Sequence, residues 1–194
     1  MATVPGPSSA RVHAEFSDGA TVTPPAAVPA PSQAAERCVR PLPAESPPVA
    51  KPAASGLCPP DPAATAKVPL EFRSTKLELP EASGHKTLTV EVAERPEQTA
   101  HGLMYRKSLA GDRGMLFDLK SRKVQAFWMR NTCIPLDMMF IDDDGLIVGI
   151  LEQVPVLNEE ERSVGCPSRY VLEVQAGFSR KNGVRPGQRV KLPN

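Results

Sequence analysis

The chain has 194 residues, with 23 Lys+Arg against 22 Asp+Glu, a formal net charge of +1. That balance argues against a general nucleic-acid binder, which shows a basic surplus or stripe. The longest apolar run is Leu146–Leu151, far short of the roughly 20 residues a membrane helix needs.

Proline divides the chain. Fifteen of the 22 prolines fall in residues 1–69, and only one aromatic, Phe16, precedes residue 70. Proline lacks an amide donor and its fixed φ disfavours helix and central strand. With few large apolar side chains, such a segment cannot offset its ordering entropy. Residues 1–66 therefore read as a disordered Pro/Ala-rich tail or linker, and residues 67–194 as the folded domain. A proline-rich ligand for another domain is the sharper reading of the tail. Met1–Ala20 shows neither the basic start nor the apolar stretch of a signal peptide. This points to the cytoplasm unless an export signal lies upstream.

The remainder alternates as half-buried strands do. Leu88, Val90 and Val92 alternate with Thr87, Thr89 and Glu91, a period of two. Pro96 suits the first turn of a short helix, where its missing donor is not needed. Ala100, Leu103 and Met104 share one face of that helix. Strands are predicted at 114–117, 125–130, 136–141 and 146–154. The segment 136–141 is apolar on both faces and so belongs in the middle of a sheet. Asp143-Asp144-Gly145 marks the hairpin between the last two. A further strand is predicted at 169–175, one helical turn at 178–182 and a closing strand at 188–192. Close strand spacing with turn signals implies a mainly β domain, a compact sandwich or partly open barrel with one or two short helices.

The chemical motifs are few. Four cysteines (38, 58, 133 and 166) show no Cys-x-x-Cys, so neither a zinc site nor any other metal is expected. Cys133 and Cys166 can pair only with Cα atoms within about 7 Å; two separate thiols are the favoured reading. A Cys133 nucleophile would need His101 beside it. Asp142-Asp143-Asp144-Gly145 fails as a calcium loop, because Phe140 and Leu151 occupy its first and twelfth positions. No phosphate loop, dinucleotide fingerprint or nucleophile elbow is present, and no cofactor is expected. What remains is a polar set within apolar strands: Arg106, Trp128, Arg130, Asn131, Asp137 and Glu173. In this reading Trp128 is mostly buried, with at most one edge walling a pocket. Asp137 lies between Leu136 and Met138 and needs compensation, most directly from Arg106, Arg130 or Asn131.

Gly102-Leu103-Met104-Tyr105-Arg106, Gly114-Met115-Leu116-Phe117, the run Phe127–Asp137, Tyr170-Val171-Leu172-Glu173 and Ala176-Gly177 occur in that order. Together they resemble an uncharacterised prokaryotic family, domain of unknown function 192, over roughly residues 70–192. Tyr105 stands where the family often has another aromatic, and Arg130 where it often has Lys. The resemblance implies a compact, mainly β domain, often on exported or membrane-tethered chains, and implies no reaction. The leading expectation is a binding or accessory domain that recognises a small molecule, glycan or protein segment near Trp128–Asp137. Its rivals are a hydrolase-like enzyme using Asp137 and Glu173 as acid and base, and a purely structural domain.

Overall fold

A computed structural model describes residues 37–65 and 70–193. Six strands form one mixed sheet: β1 (Arg73–Leu79), β2 (Lys86–Ala93), β3 (Arg113–Val124), β4 (Leu136–Ile141), β5 (Ile147–Val154) and β6 (Pro167–Gln175). Their order is β1-β2-β3-β6-β4-β5. All neighbours are antiparallel except β2 and β3. A parallel pair needs a crossover, and α1 (Pro96–His101) lies on it. The Gln98 side chain tightens the start of α1, accepting from the Glu94 and Arg95 amides and donating to the Glu71 carbonyl.

Alternation along the central strands builds a core on each face. Leu116, Met139, Leu172 and Val174 enter one cluster. Met115, Phe117, Met138, Phe140 and Val171 enter the other. All of β4 is buried, as its two apolar faces require. Gly149 of β5 is fixed by packing, since a Cβ there would lie 2.6 Å from Val164 Cβ.

The segment after α2 (Phe178–Lys181) joins the two sheet edges. Arg189 bridges to Leu146, just before β5, and Lys191 bridges to Glu78 in β1. The sheet is thereby drawn toward a partly open barrel. The expected strand at 188–192 is present only as these isolated bridges. Likewise 125–130 is not a strand, and its one bridge joins Phe127 to Arg162.

The expected tail requires correction over its described part. Residues 37–65 pack on the domain as a strap along the open edge of β5. Arg40 donates its amide to the Val148 carbonyl, Ala50 to Gln153 Oε1, and Ala53 to the Cys133 carbonyl. Val39 packs on one core and Leu42 on the other. Two disulfides, Cys38–Cys166 and Cys58–Cys133, lock the strap down. The cysteines are therefore not separate thiols, and Cys133 and Cys166 do not pair with each other. Cys133 is also unavailable as a nucleophile. Residues 1–36 and 66, the rest of that expectation, lie outside the described residues.

Candidate functional site

Asp137 is fully buried and works as a backbone clamp. Its Oδ1 accepts from the Gln153 and Gly177 amides and its Oδ2 from the Ser179 amide, at 3.0, 3.0 and 2.9 Å. Gly177 N-caps α2, so the carboxylate satisfies amides that a helix start leaves unpaired. The expected partners Arg106, Arg130 and Asn131 are engaged elsewhere. Arg106 pairs with Glu91. The Asn131 amide donates to the Tyr105 hydroxyl at 2.9 Å, while the Tyr105 backbone donates to the Asn131 carbonyl. These two contacts lace the loop after α1 to the turn before β4.

Glu173 points the other way. In the pairing of β4 with β6, Asp137 faces Val174 and Met138 faces Glu173. Directly paired residues share a face, and successive residues alternate. Asp137 and Glu173 therefore leave the sheet on opposite sides and cannot share a cleft, which removes them as an acid–base pair. Glu173 sits between Met115 and Met138 across the strands. It is 4% exposed and makes no ion pair among the described residues. Burial pushes its carboxyl up to about 8, so near neutral pH it is mostly protonated.

Trp128 and Arg130 form the exposed part of the predicted set. Along 125–130, Gln125 and Met129 are buried and Phe127 is half-buried, while Ala126, Trp128 and Arg130 turn outward. Phe127 meets Phe117 and Phe140 edge-on, at centroid distances of 5.2 and 6.0 Å. These rings pin the segment to the core and leave Trp128 in the outward phase. At 44% exposure, Trp128 is not the buried residue that the apolar run implied. The Arg130 guanidinium lies over its ring at 5.6 Å and also pairs with Glu159. Trp128 walls a groove of about 290 Å³ with Thr99 and Ala100 of α1, Leu119 of β3, Phe127 and Glu161. Gln125, beneath it, is held by the Ser121 and Ser168 carbonyls.

The six predicted residues thus do not converge. Trp128 and Arg130 line a surface, Arg106 and Asn131 brace loops, and Asp137 and Glu173 sit in separate cores. Thr99, Leu119 and Glu161 were missed, because only the crossover of α1 over the sheet brings them beside Trp128. Among the described residues no group of three or more His, Cys, Asp or Glu side chains is placed to hold a metal. No described helix is long and apolar enough to cross a membrane.

A family model described as DUF192, Uncharacterized ACR, COG1430, matches residues 79–192. A crystal structure of a candidate transcription regulator from Sinorhizobium meliloti 1021 is 38% identical, with a TM-score of 0.59 over 64% of this chain and 97% of that one. A crystal structure of a protein of unknown function from Novosphingobium aromaticivorans DSM 12444 is 27% identical, with a TM-score of 0.58 over 69% and 99%. The comparison with curated proteins gives no match.

Proposed function

The chain belongs to the DUF192 family, and from that premise we propose that it is an accessory binding domain that seats a sugar ring of a glycan on Trp128. One observation carries the reading. The single tryptophan of the chain is held outward by the packing of Phe127, at the wall of a groove. Its neighbours there are apolar, Ala100 and Leu119, and polar, Thr99 and Glu161. An indole offers a flat apolar face for the C–H side of a sugar. Nearby hydroxyl and carboxylate groups then orient the sugar hydroxyls, the usual division of labour in a small-ligand site. Tryptophan, with an apolar body and a polar N–H, is enriched at surfaces that bind partners.

The two disulfides support a working place in an oxidising compartment, since disulfides persist outside the reducing cytoplasm. The enzymatic rival loses its geometric basis with Asp137 and Glu173 on opposite faces. The description of the Sinorhizobium protein as a regulator of transcription has no counterpart in the balanced charge of this chain.

Isothermal titration with a panel of neutral oligosaccharides tests the proposal. The parent protein is expected to bind one of them with a dissociation constant in the micromolar to millimolar range. Trp128→Ala is expected to lose that binding while keeping its urea midpoint. A proline-rich peptide that saturates the groove where no sugar does would replace the glycan by a protein segment.

A further inference from the structure

Two adjoining cavities lie at the end of the sheet where β2 and β3 begin and β6 ends. The larger, about 580 Å³, has Lys86, Asp112, Phe178 and Lys181 on its walls. The smaller, about 360 Å³, has Lys107, Ser108 and Ile134 on one side and Val49 of the strap on the other. Gln175 and Ala176 line both and form the saddle between them.

Three lysines line these cavities. Many described cations elsewhere are held in ion pairs, as for Arg37, Arg122 and Arg189 with Asp142 and Asp144, and Lys120 and Lys191 with Asp118 and Glu78, although Arg40, Lys51, Lys76, Arg113, Lys123 and Arg185 are not. Lys86, Lys107 and Lys181 make no ion pair among the described residues. Asp112, which lines the larger cavity, takes none of them as a partner. Lysines that line a concave surface without a carboxylate partner raise the local concentration of anions. The solvent-exposed Gln175 carboxamide and Ser108 hydroxyl, without a hydrogen-bond partner among the described residues, also line the cavities.

We propose that these joined cavities form a second ligand site, distinct from the Trp128 groove, for an elongated polyhydroxylated molecule carrying two acidic groups. One acidic group would be held between Lys86 and Lys181 and the other by Lys107 with Ser108. Gln175 hydrogen-bonds the linking hydroxyls, and Asp112 accepts from a ligand hydroxyl rather than from a lysine. The strap completes the smaller half. Val49, Ala50 and Pro52 form its wall, and the Ala50 and Ala53 amides tie that stretch to Gln153 and to Cys133 beside the Cys58–Cys133 disulfide.

Titration calorimetry on the full oxidised chain decides it. Tri-galacturonic acid supplies the acidic groups as carboxylates, fructose 1,6-bisphosphate supplies them as phosphates, and maltotriose is the neutral control. Binding of at least one anion is expected, weakened at least tenfold by Lys107→Met and by the pair Lys86→Met with Lys181→Met, and weakened by salt. The preferred anion identifies the acid. Because these lysines hold no structural ion pair, the variants should keep the parent urea midpoint. Should a Met variant misfold, Lys→Gln at the same positions and the salt dependence of the parent carry the same test. No binding of either anion, equal binding of maltotriose, or an affinity indifferent to all three lysines overturns the proposal. The titrations are run in the Trp128→Ala background, so that sugar held on the indole does not contribute and none of these outcomes bears on binding at Trp128.

Discussion

Asp137 ties three amides from two segments, β5 and the start of α2, to one carboxylate. Asp137→Asn replaces one acceptor oxygen by a donor that faces an amide. A buried group left unsatisfied costs about 1–3 kcal/mol, so a loss of about 2 kcal/mol in urea denaturation is expected, and a parent-like midpoint would contradict the clamp. Glu173 gives the opposite result. Its carboxyl titrates at about 8 in the fold and near 4.3 unfolded. Between those values the unfolded chain binds fewer protons than the native one, so stability falls as pH rises. Below the lower value the two states are alike, and above the higher one the penalty is constant. Glu173→Gln should therefore stabilise by about 3 kcal/mol at pH 7 and by little at pH 4. Equal effects at both pH values would show that the carboxyl is not held neutral. At the hairpin tip, Gly145 has φ +83°, and a Cβ there would lie 2.3 Å from the Val190 carbonyl oxygen. Gly145→Ala should cost about 1–3 kcal/mol and loosen the C-terminal segment, measurable as faster amide exchange at Val190.

At the scale of elements, the strap is the largest departure from the sequence reading. Proline content argued for disorder, and within residues 37–65 that argument omitted covalent closure. The disulfides close chain separations of 128 and 75 residues, which restricts the unfolded chain far more than apolar burial alone would. Removing residues 37–66 should lower the melting temperature well below that of the full chain, because each native disulfide is typically worth about 2–5 kcal/mol. Melting at the same temperature would mean that the strap adds nothing. Arg37 fastens the other end of the strap. The Arg122 guanidinium beside Asp142 holds that carboxyl below its usual range, with Arg37 adding to it, and Arg37 does the same to Asp144 ahead of Arg189. These depressed carboxyls contribute stability above about pH 4 that is lost as pH falls through their folded values. Arg37→Ala should remove part of that acid sensitivity, visible in melting curves between pH 2 and 6.

Other elements were legible where alternation was clean. Leu88, Val90 and Val92 of β2, the doubly apolar β4 and the Asp143-Asp144-Gly145 hairpin stand where the pattern puts them. β1 was not read, because its apolar residues Leu77 and Leu79 are too few to mark a strand until β2 pairs with it. The run 125–130 alternates as a strand does, yet α1 and the Phe127 contacts occupy the space beside it, and that arrangement depends on residues remote in sequence. The same cause hid the candidate site. Its aromatic wall was visible as a residue, but its exposure depends on which phase of the alternation meets the core.

For the whole molecule, a two-faced sheet drawn toward a barrel by residues 187–191 and bound by a disulfide-locked strap gives a rigid frame. On that frame one aromatic is turned outward beside α1. The most direct test is the single indole N–H resonance of Trp128 in a proton–nitrogen correlation spectrum, followed as the oligosaccharide selected by calorimetry is added. The account predicts a saturable shift of that resonance together with the amides of Thr99, Leu119 and Glu161, with the amides of β4 unmoved. An indole resonance that stays in place while the sugar binds, or a sugar that shifts only residues away from α1 and Trp128, would contradict it.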